Sequence, residues 1–364
     1  MTLSGFFKNN RIIVKYYIRV ALIVGIIWTI FDYTTFLSIA YSEDASDYPF
    51  SQASDFVLYT RIIVSFIGYF ILGYLLIFPL KVKLLNVPLW LVFIIKTIVL
   101  CFLSAILVSI VFFTVYFVAK GYSPLECWYK YVYYVSDTQW MYNFIQNRVM
   151  LFLLTLVGLE IGEKYSPGVF IDIFLGKYLR PREQNRIIVF IDLVNSTPIA
   201  EQLGHKVYFA FIRDFIHHIS TALLEYDGLI YQYVGDEIVV SWILNKKNRK
   251  KSISSLRRAR LIIERESACY LKTYGVKPEF RAGIHCGAVT VGEIGIVKKD
   301  LAITGEAMNA TARIRSMTGQ LDVQFLASKD FVDFLDMKPG QYRSVGQVEM
   351  KGLSKPLELF SILE

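Results

Sequence analysis

The sequence predicts an N-terminal all-α transmembrane bundle of four helices, followed by an α+β domain of hairpin strands and amphipathic helices. Two observations support this division. Of the 364 residues, 54% are hydrophobic and only 19% charged, whereas charged residues make up roughly a quarter of a soluble domain. Apolar runs long enough to cross a bilayer occur only in the first 162 residues, and beyond them short strand-like runs alternate with helical stripes.

Composition excludes several classes of protein. The apolar character disfavours a disordered chain, a collagen-like repeat and a wholly soluble enzyme. The four cysteines lie far apart without a CxxC or Cys/His pattern, and so imply neither a disulfide framework nor zinc. In so apolar a chain, the formal net charge of +8 is typical of cytoplasmic loops that face anionic lipid. We therefore expect a lipid bilayer, and no nucleic acid, as a partner.

The four predicted spans are windows of about twenty apolar residues. They cover residues 20–40, 57–80, 97–119 and, more weakly, 141–161. Lysines and arginines precede the first span, whereas acidic residues and no basic residue lie between it and Arg61, which predicts a cytoplasmic N-terminus. Four crossings then return the chain to the cytoplasmic side of the plasma (inner) membrane. A cleaved signal peptide ending near Ala40 is the competing interpretation, disfavoured because the apolar stretch is long for such a peptide.

Three ionisable residues fall near or within the spans, where such residues are functional candidates. Asp32 and Arg61 lie toward the outer ends of neighbouring spans, and we expect them to pair. Arg148 lies deeper in the fourth span. It can face a polar cavity, pair with Glu160 or indicate that this span is misplaced, and the sequence leaves all three interpretations open.

The domain boundaries follow from this pattern. We expect a transmembrane domain at residues 1–162, a juxtamembrane linker punctuated by proline and glycine at residues 163–186, and a C-terminal domain at residues 187–364. The predicted C-terminal elements are a strand at 187–191, a short helix that starts at Thr197, a helix from 208 to 228 and a hairpin of 229–234 and 237–242. A basic loop and a further helix, a second strand pair at 280–291, a helix at 307–317 and three short terminal strands follow. Hairpin strands with helices on one face make an α+β sandwich.

Two aspartates of this domain occupy positions suited to a metal ion. Asp192 ends the first strand, and Asp236 lies in the turn of the hairpin. Such a pair of hard oxygen donors suits Mg²⁺ that bridges phosphate oxygens, although either aspartate alone is compatible with an ordinary turn. Backbone N–H groups at the start of the following helix favour phosphate. The residues of this helix start are Val194, Asn195, Ser196 and Thr197.

Three further polar residues extend the set. Asn309 and Arg313 are four residues apart, so on a helix they share one face and can contact the same ligand. Lys351 is predicted at a strand end beside a glycine, where its ammonium group can meet a polyphosphate as a point charge.

The order of these motifs resembles the class III adenylate and guanylate cyclase catalytic domain. The resemblance runs from about residue 186 to 364 and rests on five short motifs. They are the strand end 190–197, the Gly-Asp turn 235–236, the strand 283–287, the pair Asn309 and Arg313, and the Lys-Gly pair 351–352. It implies a ferredoxin-like catalytic core that works as a head-to-tail homodimer with active sites at the interface.

The resemblance also implies a reaction and its cofactors. Asp192, Leu193 and Asp236 would hold two divalent cations, Mg²⁺ or Mn²⁺, at each site. The nucleotide 3′-hydroxyl would attack its own α-phosphorus in line and release pyrophosphate. One cation would lower the pKa of the hydroxyl and the other would steady the leaving group. No side-chain nucleophile is needed, in agreement with the lack of a Ser/His/Asp pattern.

The remaining residues carry over as substrate contacts. Asn309 of the partner protomer would orient the ribose, Arg313 would stabilise charge around the α-phosphate, and Lys351 would grip the β- and γ-phosphates. Adenylate cyclases usually have a lysine three residues before the hairpin glycine and an aspartate or threonine seven residues before the asparagine. This chain has Gln232 and Ala302 there. Glutamine can offer a purine both a donor and an acceptor, whereas alanine reads nothing through its side chain. We expect ATP as the substrate, with GTP as the alternative.

Two other interpretations compete with a membrane-anchored adenylate cyclase. The turn at residues 234–237 also looks like the GGDEF turn of diguanylate cyclases, but that assignment leaves Asn309, Arg313 and Lys351 unexplained. A non-catalytic membrane receptor that only binds nucleotide would account for the unusual purine positions. The basic stretch at residues 246–260 is interpreted as a solvated loop and helix face, because no aromatic residue interrupts it to stack on bases.

Overall fold

The chain forms two compact units, Met1–Ile161 and Gly162–Glu364. The computed structural model describes residues 11–40, 55–77, 80, 84, 87–119, 121–136, 138–164, 169–297, 299–338, 340–349 and 356–363.

The first unit consists of helices. They are α1 Arg11–Ala40, α2 Asp55–Ile77, α3 Leu89–Thr114 with a π-helical turn at Val115–Ala119, α4 Pro124–Ser136 and α5 Thr138–Glu163. Four of these, α1, α2, α3 and α5, are long and apolar enough to cross a membrane. The four-helix prediction is therefore confirmed. The third helix begins at Leu89, earlier than the predicted residue 97. It starts directly after Pro88, and proline is tolerated at the start of a helix.

Aromatic side chains form the centre of the helical unit. The Trp28 ring of α1 packs against Tyr69 of α2 and Phe152 of α5, with ring centroids 6.0 and 4.8 Å away. Its indole N–H donates to Thr155 Oγ1 at 2.9 Å. Isoleucines, leucines and phenylalanines cover much of the outer surface of α1, α2 and α3 as well. Helices that are apolar on all sides suit a bundle surrounded by lipid.

The predicted pair of Asp32 and Arg61 inside the bundle is confirmed, and two further residues join it. Arg61 Nη2 donates to Asp32 Oδ2 at 3.1 Å. Arg148 donates to the other oxygen, Asp32 Oδ1, which also accepts from the Tyr69 hydroxyl at 3.1 Å. The cluster joins α1, α2 and α5, so Arg148 pairs with Asp32 rather than with Glu160.

The second unit is built on one mixed sheet. After a short helix, α6 Val169–Phe174, its strands are β1 Arg182–Leu193, β2 Leu229–Val234, β3 Glu237–Ile243, β4 Phe280–Ile294, β5 Asp300–Thr304, β6 Phe325–Ser328, β7 Tyr342–Val348 and β8 Leu357–Ile362. The order across the sheet is β2-β3-β1-β4-β6-β8-β7, with β5 paired to β4. The β2-β3 hairpin and the three terminal strands agree with the prediction.

The predicted strand pair at 280–291 is instead a single strand, β4, of 15 residues. Its glycines mark close approaches of neighbouring segments rather than a turn. A Cβ at Gly283 would lie 2.4 Å from the Arg315 backbone nitrogen, and one at Gly292 would lie 3.1 Å from Pro181. Glycine in a strand interior is typical of such backbone approaches.

Helices cover both faces of the sheet, which corrects the expectation of one covered face. Helices α7 Ser196–Glu225, α8 Lys251–Tyr274 and α10 Lys329–Leu335 pack on one face. Helix α9 Glu306–Gln320 packs on the other, against Ile188 and Phe190 of β1. The physical reason lies in β1, where residues 187–191 are all buried and point to both faces. A strand that is apolar on both sides needs a second covering layer.

Candidate active site

The end of β1 carries the first candidate residue into a central position. β1 pairs with β3 on one side and with β4 on the other, and Asp192 is its next-to-last residue. The Asp192 side chain is 29% exposed, so it reaches the surface of the sheet end. Leu193 is buried, so its backbone carbonyl is the donor that it could offer a cation.

Asp236 meets Asp192 at this end of the sheet. The β2-β3 turn passes through Gly235, with φ of 63°, and brings the Asp236 carboxyl group into hydrogen-bonding reach of Asp192. Burial raises the pKa of Asp192 to about 6; the nearby Arg315 lowers it, whereas Asp236 and Glu237 raise it further. The structure therefore brings together the two aspartates that the sequence singles out.

Three neighbouring residues were not identified from the sequence. Arg315 of α9 donates from Nη1 to Asp192 Oδ2 at 3.1 Å, and its Nη2 contacts Glu237 Oε2. Burial raises the pKa of Glu237, whereas Arg315 lowers it. The Tyr208 hydroxyl hydrogen-bonds Ser196 and lies close to Asp236; burial, first of all, raises its pKa. The available signal was slight: Arg315 follows Arg313 by two residues, and Glu237 follows the Gly-Asp turn.

A kink in α7 positions Tyr208. Gly204 interrupts the helix with φ of 70° and ψ of 160°, a conformation that glycine adopts readily. The segment from Ser196 to the kink starts beside Asp192, and the second segment carries Tyr208 back toward Ser196. The sequence predicts a short helix from Thr197 and a second helix from residue 208, and in the structure the two join at the Gly204 kink within α7.

The start of α7 supplies fewer free amides than expected. The Val194 N–H donates to the Glu279 carbonyl at 2.8 Å, so Val194 does not offer its amide to phosphate. Asn195 occupies the N-cap position in a left-handed conformation, with φ of 55°, and its side chain makes no capping hydrogen bond. Ser196 and Thr197 begin the first turn, where helical N–H groups have no acceptor within the helix. These two residues keep the geometry of a phosphate-binding start.

Asn309 and Arg313 lie on the exposed side of α9. Arg315 lies on another side of the same helix and points to Asp192 of its own chain. The two predicted catalytic side chains are thus exposed on a different side of α9 from the one that contacts Asp192.

The residues predicted to contact the purine and the phosphates lie in different parts of the chain. Gln232 is exposed on the edge strand β2, beside an irregularity in its pairing with β3. Ala302 is buried on β5, opposite Gly292 of β4. Three strands of the sheet, β3, β1 and β4, separate the strand that carries Gln232 from the strand that carries Ala302. Lys351 lies outside the described residues, so its place in the site stays a prediction.

The donor set fits a divalent cation that shares its ligands with a substrate. Among the described residues, no group of three or more His, Cys, Asp or Glu side chains forms a closed metal site. Two adjacent carboxylates at a sheet end are the arrangement that Mg²⁺ uses when waters and phosphates complete its shell. The cluster also carries excess negative charge, which Arg315 offsets in part.

Comparisons with known proteins point to one family. Residues 180–364 match the family model of the adenylate and guanylate cyclase catalytic domain. The chain is 28% identical over 213 residues to adenylate cyclase 2 of Rhizobium meliloti (strain 1021), covering 56% of this chain and 57% of that protein. It is 20% identical over 159 residues to the receptor-type guanylate cyclase gcy-10 of Caenorhabditis elegans, covering 43% of this chain and 15% of that protein.

A solved structure shares the fold. A bacterial light-regulated adenylyl cyclase superposes with a TM-score of 0.50 at 18% identity, covering 63% of this chain and 67% of that chain. The chain spans 57% of the length of the Rhizobium relative. The family model, by contrast, is matched throughout residues 180–364, the whole of the sheet-containing half. This chain belongs to the class III adenylate and guanylate cyclase family.

Proposed function

We propose that this protein is a membrane-anchored adenylate cyclase that converts ATP to cyclic AMP and pyrophosphate as a homodimer with two equivalent sites. One observation carries the proposal: the carboxyl groups of Asp192 and Asp236 lie in hydrogen-bonding reach at the end of β1. The exposed Asn309 and Arg313 on α9 support a site completed by a second copy.

Each residue has a role in this reaction. Asp192 and Asp236, with the carbonyl of Leu193, would hold Mg²⁺ or Mn²⁺. The cations, when bound, supply Lewis acidity that makes the 3′-hydroxyl more acidic and stabilises pyrophosphate. Arg313 of the partner protomer donates hydrogen bonds to the α-phosphate, where charge grows in the transition state. Asn309 positions the ribose, which holds the hydroxyl in line with the phosphorus.

Three other groups serve the triphosphate and its base. Ser196 and Thr197 present amides at the start of α7 to the phosphates. Lys351 adds a point charge for the β- and γ-phosphates. Gln232 offers a donor and an acceptor to the purine edge. ATP is the preferred substrate in this proposal, supported by relatives described as adenylate cyclases.

The helical half serves as the anchor. The four apolar helices would cross the plasma (inner) membrane and leave both the N-terminus and the catalytic domain in the cytoplasm. The chain would then divide into a transmembrane domain at 1–162, a linker at 163–186 and a catalytic domain at 187–364. Family membership argues against the diguanylate cyclase alternative.

Product analysis of the purified full-length chain tests the proposal. We expect cyclic AMP from ATP with Mn²⁺ or Mg²⁺, and less cyclic GMP from GTP. Asp192→Ala and Asp236→Ala should each abolish activity, whereas Asp322→Ala, at a carboxylate that is 92% exposed, should leave activity unchanged. Cyclic GMP as the main product would assign the guanylate alternative, and no product from either nucleotide would favour the nucleotide-binding receptor.

A mixing experiment tests the shared interface. Asp192→Ala lacks the metal side of each site, and Arg313→Ala lacks the partner side. A dimer of one protomer of each kind therefore has one intact site and one doubly defective site. Coexpression of the two inactive variants should restore a substantial part of wild-type activity. If the mixture stays inactive, both groups act within the same protomer.

A further inference from the structure

Arg315 occupies the centre of the acidic cluster. Its Nη1 binds Asp192 Oδ2 at 3.1 Å and its Nη2 contacts Glu237 Oε2. The side chains of Arg315 and Asp192 are 30% and 29% exposed, and that of Glu237 is 13% exposed. One guanidinium therefore bridges two acids from different strands, β1 and β3, in a partly enclosed position.

We infer that Arg315 is an internal counter-cation of the metal site, which holds Asp192 and Glu237 in place without metal and competes with the divalent cation for Asp192. This inference rests on the proposed function, because it takes Asp192 as a metal ligand. Arg315 is a positioning residue, since it touches the acids rather than the nucleotide.

Arg315 lowers the net negative charge of the acidic cluster. Asp192, Asp236 and Glu237 place three carboxylates at one sheet end, and like charges at such distances repel. Arg315 reduces their summed charge from three negatives to two. A dication is attracted less strongly to the smaller negative charge. The wild-type site therefore binds its metal more weakly than the same acids would without Arg315.

The shape of the guanidinium group and the position of its backbone keep Arg315 on the two acids. The planar guanidinium fork can bind two carboxylates at once through separate nitrogens, which a lysine ammonium does less well. The backbone of Arg315 lies tightly against Gly283 of β4, so the base of this side chain is fixed relative to β1. A fixed base and a bidentate head keep the guanidinium on the acids.

The contact with Arg315 limits which acids are free to bind the metal. Glu237 is engaged by Arg315, so it serves as the partner of the arginine and leaves metal coordination to Asp192 and Asp236. Glu237→Gln should remove one negative charge and direct Arg315 wholly to Asp192. Both effects weaken metal binding. Loss of Arg315 should therefore strengthen metal binding, whereas loss of the Glu237 charge should weaken it.

Metal affinity measured without nucleotide tests the inference. Mn²⁺ is titrated by electron paramagnetic resonance into the full-length chain in detergent micelles. Arg315→Met should bind Mn²⁺ about fivefold more tightly than wild type, because the variant lacks one partly screened positive charge near the ion. Glu237→Gln should bind more weakly, and the double variant should return close to wild type. Arg315→Lys, which keeps the charge, should stay near wild type.

Controls separate the possible failures. Arg265→Met removes a surface arginine of α8 and should leave Mn²⁺ affinity unchanged. Asp192→Ala should abolish Mn²⁺ binding; if it does not, the metal assignment of the proposed function fails, and this inference fails with it. If Asp192→Ala abolishes binding but Arg315→Met binds as wild type or more weakly, Arg315 has only a structural role. If Arg315→Met does not fold, unchanged or tighter binding by Glu237→Gln overturns the inference.

Discussion

Gly283 of β4 lies directly against the backbone of Arg315 of α9: a Cβ at position 283 would be 2.4 Å from the Arg315 nitrogen and 2.6 Å from its Cα. The register of the sheet pairs Gly283 with Phe190, two residues before Asp192. The absence of a side chain at Gly283 therefore lets α9 approach the strand that carries Asp192. This approach places the guanidinium of Arg315 within reach of that carboxylate.

Gly283→Ala tests this close approach. The added methyl group meets backbone atoms, so α9 must move away, and overpacking of this kind costs about 1–3 kcal/mol. We expect a lower melting temperature of the full-length chain and lower cyclase activity. Gly319→Ala, on α9 itself, is the control, because its methyl group would meet only the end of the Arg281 side chain, at 3.2 Å. A Gly283→Ala variant as stable and active as Gly319→Ala would contradict this account.

The parts predicted well from the sequence depend on local patterns. The β2-β3 hairpin follows from two apolar runs around a Gly-Asp turn, and the four long helices follow from apolar length alone. The proximity of Asp192 and Asp236 followed from their places at adjacent strand ends.

The parts that were missed depend on distant contacts. Arg315 is separated from Asp192 by 123 residues, and nothing in its neighbourhood distinguishes it from a solvated helix arginine. Arg148 and Asp32 are 116 residues apart. The second covered face of the sheet depends on α9, which packs on β4 at Gly283 and Gly287, and the motif that contains these glycines does not by itself show which helix they meet. Such contacts are fixed by tertiary packing rather than by propensity.

Loss of Asp32 should destabilise the helical bundle more than loss of Arg148. Asp32→Asn leaves the buried Arg148 without its carboxylate partner, and breaking a buried pair in this way costs about 3–5 kcal/mol. Arg148→Met leaves Asp32 with Arg61 and Tyr69, so its cost should be smaller. Melting temperatures of the two variants in the same detergent give the comparison. Equal losses, or a larger loss for Arg148→Met, would contradict the asymmetry.

Metal binding should weaken as the pH falls through about 6. The pKa of Asp192 is raised to about 6 in the folded chain from 3.8, so below this pH a proton competes with the cation for the carboxylate. Mn²⁺ affinity should be nearly constant from pH 7 to 8 and fall toward tenfold per unit well below pH 6. In Arg315→Met the midpoint should move to higher pH, because Arg315 lowers this pKa. A midpoint that stays near pH 4 would place the Asp192 carboxyl in ordinary solvent.

The same pKa sets a pH dependence of stability without metal. Between pH 4 and 6 the folded chain holds a proton on Asp192 that the unfolded chain has released, so stability falls as the pH rises through this window and levels off above it. Asp192→Asn removes this ionisation and should flatten that part of the curve relative to wild type. Melting temperatures in EDTA from pH 4 to 8 measure the difference. If the curves of the two proteins run parallel, the pKa of Asp192 is the same in the folded and in the unfolded chain.

Restoring the usual adenylate cyclase residues should sharpen the choice of ATP over GTP. Gln232 is exposed, so Gln232→Lys should leave stability unchanged while placing a cationic donor where the family places its lysine. Ala302 is buried, so Ala302→Thr is the smaller of the two family replacements and avoids burying a carboxylate. The measurement is the ratio of kcat/KM for ATP to that for GTP in each single variant and in the double variant. We expect about a tenfold rise in the double variant, the discrimination of one well-placed hydrogen bond.

Lys277→Gln, at a surface lysine paired with Glu264, is the control for altered net charge and should leave the ratio unchanged. A ratio that stays constant in all three variants would place the purine contacts elsewhere in the fold.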